Sequence, residues 1–245
     1  MSAVTSTQTS SSFGRGFTFI ALAVGGAILG AVSTNGGADA WHWLHWLCKP
    51  LATLLIFTMV WRTTRPVSAT YRRYVLIGIA FCLLGDILLM LPQNLFVPGL
   101  LSFLLAHGMF IAAFSSDVRF AARWWPWLVC LVFGAGMGAL LWPGIAAMLR
   151  VPVLVYVAVL ATMAGQALGR ASWLRARSDA RAASARFAGL GAVLFMASDS
   201  LLAWDRFRAA LPWAALYILV TYYMALWLIA RSVERGPTAI TGEQG

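Results

Sequence analysis

The chain has 245 residues, 61% of them hydrophobic and only 11% charged, against roughly 25% charged in a soluble domain. Water is therefore excluded as the main solvent of the fold, and at about 20 apolar residues per helical crossing the chain has no room for a separate soluble domain. The net charge of +10 would suit a nucleic-acid partner if the cations formed one patch, but they are scattered through short segments between apolar runs, so no nucleic acid is expected.

Residues 1–12, rich in Ser and Thr and without apolar periodicity, predict a disordered tail. Apolar runs follow at 17–33, 46–61, 74–91, 97–116, 124–141, 151–168, 187–204 and 213–230, and residues 233–245 predict a flexible C-terminal tail. The expectation is an all-α polytopic membrane bundle of about eight transmembrane helices spanning residues 13–232. The first run, between Arg15 and Ala38-Asp39-Ala40, has a second reading as a signal peptide with a small-residue cleavage site. Its n-region carries a single charge, and its removal would leave the orientation of the other seven helices unchanged.

Orientation follows from the basic residues. If the N-terminus is inside, 14 of the 18 Lys and Arg residues fall on the inner side, and only Lys49, Arg150, Arg206 and Arg208 fall outside. The positive-inside rule then places both termini in the cytoplasm. Trp41, Trp43 and Trp46 at one span end, and Trp124, Trp125 and Trp127 at another, read as interfacial anchors. Gly85-Asp86-Ile87-Leu88-Leu89 resembles Ser198-Asp199-Ser200-Leu201-Leu202 four spans later. An even separation gives both copies one orientation, so any internal repeat is parallel.

Asp86 and Asp199 are the costly residues. Asp86 lies five residues before Leu91, the end of the third run, and Asp199 five before Trp204, the end of the seventh. At about 1.5 Å per residue both carboxyls are predicted roughly 7 to 8 Å below the outer ends of their helices. A carboxylate there needs a partner or a wet cavity, and intramembrane acids mark functional sites more often than packing. The competing reading makes each aspartate a protonated or hydrogen-bonded packing contact. Lys49, which opens the second span, and His107, in the fourth, could join them, as could Tyr156, Tyr222 and Tyr223. Snorkelling and helix packing are the alternatives for these five. His42 and His45 lack a third ligand and read as an interfacial turn rather than a metal site. Cys48, Cys82 and Cys130 are far apart and read as small buried hydrophobes, so neither metal nor cofactor is expected.

Several stretches in order carry a resemblance: Lys49-Pro50-Leu51, Leu84-Gly85-Asp86, Gly99 through His107, Ala197 through Ala203, and Thr221-Tyr222-Tyr223-Met224-Ala225. Through them the chain resembles the YhhN-like lysoplasmalogenase family of bacterial and animal membrane proteins. It departs from the family pattern at Phe110, where Tyr is common, and at Leu226, where Gln is common. The resemblance implies hydrolysis of the vinyl ether of a lysoplasmalogen, giving a fatty aldehyde and a glycerophospho-ethanolamine or -choline. It implies a lysophospholipid substrate among membrane lipids and a place in a membrane, with the bacterial inner membrane the expected one. Asp86 and Asp199 would then be the catalytic acid and base, with no order assigned between them, and Lys49 and His107 would contact the phosphate or glycerol. The rivals are a proton-coupled lipid or metabolite transporter, an intramembrane aspartyl protease and a metal-dependent membrane hydrolase. The protease motif is broken at Leu83, and neither aspartate sits at a Gly/Pro-broken helix of the kind carriers use. Nothing in the sequence signals an oligomeric state.

Overall fold

The computed structural model describes residues 11–34, 41–93 and 95–235. It contains eight α-helices: α1 (Ser11–Thr34), α2 (His42–Trp61), α3 (Ala69–Met90), α4 (Phe96–Phe114), α5 (Trp124–Leu141), α6 (Ala147–Ala176), α7 (Ala182–Phe207) and α8 (Ala214–Arg231). Seven of them are long and apolar enough to cross a membrane, and α1 adds a shorter apolar stretch, Phe17–Ser33. The chain is an integral membrane protein built as a helical bundle. Large hydrophobic side chains such as Leu22, Val132 and Met148 point outward, as a hydrocarbon solvent requires.

Local chemistry sets the ends of these helices. The Ser68 side chain accepts the Tyr71 N–H at 3.0 Å and caps α3. At its other end α3 stops at Met90, because Leu91 precedes Pro92 and turns extended. The largest departures from the predicted runs are in α6, which continues eight residues past 168 to Ala176, and α1, which begins six residues early at Ser11, inside the predicted disordered tail; α3 and α7 each begin five residues early. The C-terminal boundary also moves. Val67 N–H donates to the Val233 carbonyl and Arg235 N–H to the Arg65 carbonyl, so residues 233–235 belong to the bundle. Residues 1–10 and 236–245, and the Ala38-Asp39-Ala40 stretch, lie outside the described residues.

Six helices form a ring in the order α2, α3, α4, α6, α7, α8, each packed on the next and α8 closing on α2. α1 lies outside against α2 and α8, while α5 lies outside against α6 and touches α7 only lightly. The packing order recurs four helices on: α1 with α2 and α5 with α6, α3 with α4 and α7 with α8, α4 with α6 and α8 with α2. Small residues permit the close approaches, as is usual between membrane helices. A Cβ on Gly85 would meet the Phe103 ring at 2.6 Å, and one on Gly191 would meet the Ala225 carbonyl oxygen at 2.8 Å.

The end of the bundle carrying most of the arginines is closed by an ion pair. Arg170 is fully buried and donates from Nε and Nη2 to the two oxygens of Asp117, at 2.8 and 2.7 Å. Its guanidinium lies over the Tyr71 ring, and the Tyr71 hydroxyl bonds Ser232 at 2.8 Å. Fixed bidentate geometry makes Arg the residue for such a buried pair. Removing one partner strands the other charge, so Asp117→Asn should cost about 3–5 kcal/mol. Thermal unfolding in detergent measures that loss, and the double replacement Arg170→Met with Asp117→Leu should recover most of it. Nearby, outside the helices, the backbone N–H and guanidinium of Arg181 hold the Asp179 carboxyl at about 2. Because that value is depressed, the link is intact above the ordinary carboxylate range and is lost only as pH falls toward about 2.

Candidate active site

The polar groups of the bundle interior gather toward the end where α2, α4, α6 and α8 begin and α3, α5 and α7 finish. Lys49 and Thr53 sit one turn apart on one face of α2. Asp86 projects from α3, His107 from α4, Tyr156 from α6, Asp199 from α7, and Tyr222 and Tyr223 from α8. These side chains form two clusters, one around each aspartate.

Asp86 is buried. Its Oδ2 accepts from the Thr53 hydroxyl at 2.7 Å and the Tyr222 hydroxyl at 2.8 Å, and Lys49 Nζ lies 3.5 Å from Oδ1. One cation and two hydroxyl donors compensate this carboxylate. The Tyr223 hydroxyl donates to the Lys49 carbonyl at 2.7 Å, which fixes α2 against α8. Tyr223 thus lies behind the cluster and positions Lys49 rather than reaching the open space.

Asp199 has a hydroxyl and an imidazole as partners instead. Its Oδ2 accepts from the Tyr156 hydroxyl at 2.6 Å and lies 3.3 Å from His107 Nε2, which is itself 3.0 Å from the Tyr156 oxygen. His107 is fully buried and its Nδ1 has no partner. A bare ring nitrogen is cheaper to bury than an unpaired N–H, so the geometry assigns the proton to Nε2, donating toward Asp199 and Tyr156. His107 packs edge-to-face on Phe195 behind Asp199, away from the cavity wall.

The two aspartates line one cavity of about 140 Å³. Lys49, Tyr156 and Tyr222 share its polar end, and its remaining walls are almost wholly apolar. α3 and α7 themselves share no substantial packing face, since they stand on opposite sides of the ring, with α4 and α6 between them on one side and α2 and α8 on the other. The carboxyls therefore face one cavity from opposite walls and share no helix contact. They are also not equally far from their helix ends. Asp86 precedes Met90 by four residues and Asp199 precedes Phe207 by eight, about 6 and 12 Å of rise. The expected matched depth fails as a helix-end measure because α7 continues through Asp205 and Arg206 beyond its apolar run.

Each aspartate draws one donor from the second helix of its own half and one from the fourth helix of the other half. Asp86 uses Thr53 of α2 and Tyr222 of α8, and Asp199 uses Tyr156 of α6 and His107 of α4. Lys49 is what distinguishes the two settings. Among the described residues no three His, Cys, Asp or Glu side chains gather to hold a metal ion. His45 Nδ1 pairs with the Ala27 carbonyl at 2.8 Å and ties α2 to α1, while the His42 side chain lies outside the described residues.

The YhhN family model matches residues 44–233, a span that holds both clusters and every cavity wall. The chain belongs to the YhhN family. Among similar proteins of this YhhN-family chain, human lysoplasmalogenase TMEM86B is 30% identical over 210 residues, covering 83% of this chain and 81% of the relative. Bovine lysoplasmalogenase TMEM86A is 31% identical over 195 residues, covering 76% and 75%. The uncharacterized membrane protein YhhN of Escherichia coli O157:H7 is 33% identical over 100 residues, covering 41% and 47%. No solved structure matches significantly. The two departures from the YhhN pattern, Phe110 and Leu226, are fully buried and line no part of the cavity.

Thr53 is the functional candidate that sequence reasoning missed. Its signal was present, since it follows Lys49 by four residues and so shares its helix face.

Proposed function

We propose that this protein hydrolyses the vinyl ether of lysoplasmalogens by carboxyl acid–base chemistry, releasing a fatty aldehyde and a glycerophospho-ethanolamine or -choline. The observation that carries this reading is the pair of aspartates lining one largely apolar cavity with different partners. The names of the human and bovine relatives agree with it. Asp86, facing an ammonium and two hydroxyl donors, is the ionised member. Asp199 faces no cation, accepts its hydrogen bonds on Oδ2, and carries the proton on Oδ1.

The reaction then balances with one water consumed. Asp199 gives its proton to the outer alkene carbon, and the ether oxygen shares its lone pair with the inner carbon as an oxocarbenium ion. The Asp199 carboxylate left behind stabilises that cation in an apolar surrounding. Water adds to the inner carbon and loses its proton to Asp86. The resulting hemiacetal collapses, with its hydroxyl proton passing to the departing glycerol oxygen, and the proton on Asp86 returns to Asp199. Tyr156 and His107 hold Asp199 in place. Lys49 holds Asp86 and offers the remaining donor capacity of its ammonium to the lipid phosphate. By the positive-inside rule the arginine-rich end faces the cytoplasm, so the cavity opens toward the outer leaflet of the bacterial inner membrane.

Incubating the purified protein with a lyso-vinyl-ether phospholipid, a diacyl lipid and a lyso-acyl lipid tests the reading. Aldehyde from the first alone is expected, and its absence would overturn the proposal. Tyr156→Phe removes a hydrogen bond that strengthens as Asp199 becomes a carboxylate in the transition state, worth roughly 1.5–3 kcal/mol there. Aldehyde release should fall by about 10- to 150-fold in kcat, with little change in KM.

A further inference from the structure

The cavity holds more than its polar end. α5 lines it through Phe133, Gly134, Met137, Gly138 and Leu141 and contributes no polar side chain. A second, shallower apolar pocket lies along the α5–α7 seam and shares Phe133, Met137 and Ser200 with the first. Beyond these it is walled by Ala197, Leu201 and Trp204 of α7. The cavity beside the aspartates and this outer pocket therefore border the same three side chains, at a seam between two helices that barely touch.

Size decides what that shared border is for. The inner cavity measures about 140 Å³, close to an engineered apolar cavity of about 150 Å³ that holds one benzene, a ligand of only six carbons. An unbranched lipid chain of a dozen or more carbons cannot end there. Gly138 supplies the second clue. It is buried, yet a Cβ built on it meets no heavy atom within 4 Å, so the space in front of it is empty rather than packed. Gly134, one turn earlier, differs, since its Cβ would meet Val157 at 2.9 Å and it serves the α5–α6 contact.

We propose that the α5–α7 seam is a lateral channel for the unbranched hydrocarbon chain of the substrate, leading from Asp199 out to the lipid, with Gly138 and Ala197 setting its bore. The assignment rests on the lyso-lipid reading above and adds the position of the chain. It makes α5, which carries no group of the reaction, the helix that selects substrates by length. A chain lying in the seam keeps its apolar surface away from water along its whole course, and the polar headgroup remains at the Lys49 end.

The test is aldehyde release by the purified full-length protein from two lyso-vinyl-ether phospholipids that differ only in alkenyl chain, one of about six carbons and one of about sixteen. The measured quantity is the ratio of kcat/KM for the long substrate to that for the short one. Gly138→Leu and Ala197→Phe, on opposite sides of the seam, should each lower that ratio at least 10-fold, mainly through KM. The milder Gly138→Ala and Ala197→Leu should give smaller shifts in the same direction, so a misfolded large variant does not remove the test. Gly136→Leu lies on the same helix but lines neither pocket, and it should leave the ratio unchanged. An active wild-type protein whose ratio is the same in all four seam variants would overturn the channel and leave the proposed reaction standing. A wild-type protein that releases aldehyde from neither lipid would overturn the reaction, and the channel's occupant with it.

Discussion

Asp199→Asn is expected to lower aldehyde release from a lyso-vinyl-ether lipid by about 10²–10⁴-fold, the usual contribution of a positioned general acid. Asparagine keeps the shape and can still accept from the Tyr156 hydroxyl, so the helix packing around α7 should survive. Asp86→Asn should also stop turnover, but at a different point. With Asp199 still able to give and retrieve a proton, reversible protonation of the alkene would continue while the capture of water fails. In deuterated water the Asp86→Asn protein should therefore wash deuterium into the outer alkene carbon of unconsumed substrate, and the Asp199→Asn protein should not. The opposite pattern would exchange the two roles, and full activity in either variant would remove the dyad altogether.

Lys49→Met should be the most destabilising single change in the cavity. Its ammonium lies 3.5 Å from Asp86, with the side chains of both residues largely shielded. Loss of one partner from a buried pair costs about 3–5 kcal/mol, because the remaining charge is stranded. The double variant Lys49→Met with Asp86→Asn removes both charges and should regain most of that stability, as read by thermal unfolding in detergent, while remaining inactive. A single variant as stable as the wild type would mean that Asp86 is not ionised, and the proposed division of labour would fall with it.

The helices were legible because hydrocarbon imposes a simple demand. A run of about 20 apolar residues leaves few other options, and α5 begins and ends where its run does. α6 was not legible at its far end, since Arg170 and Arg175 resemble loop residues. What makes Arg170 a buried helical residue is Asp117, 53 residues earlier in the chain and invisible to any local pattern. The site divides in the same way. Cost alone marked Asp86 and Asp199, and their polar character within apolar spans made Lys49, His107, Tyr156, Tyr222 and Tyr223 candidates to join them. That the two carboxyls share a cavity depends on α3 and α7 standing on opposite sides of the six-helix ring, which only the packing reveals. Gly138 carried no sequence signal either, because a glycine that leaves room for a ligand reads the same as one that lets two helices touch.

The crossed donation to the aspartates has a further consequence. Since Tyr222 serves Asp86 and His107 serves Asp199, neither the first four helices nor the last four contain a finished carboxyl environment. A chain divided in the loop between α4 and α5 would yield two inert pieces, each with an acid lacking one of its donors. Activity would return only when both pieces were inserted together and interlocked. Evolution could then retune either acid by changes in the opposite half, which couples residues 136 positions apart in one pair and 92 in the other.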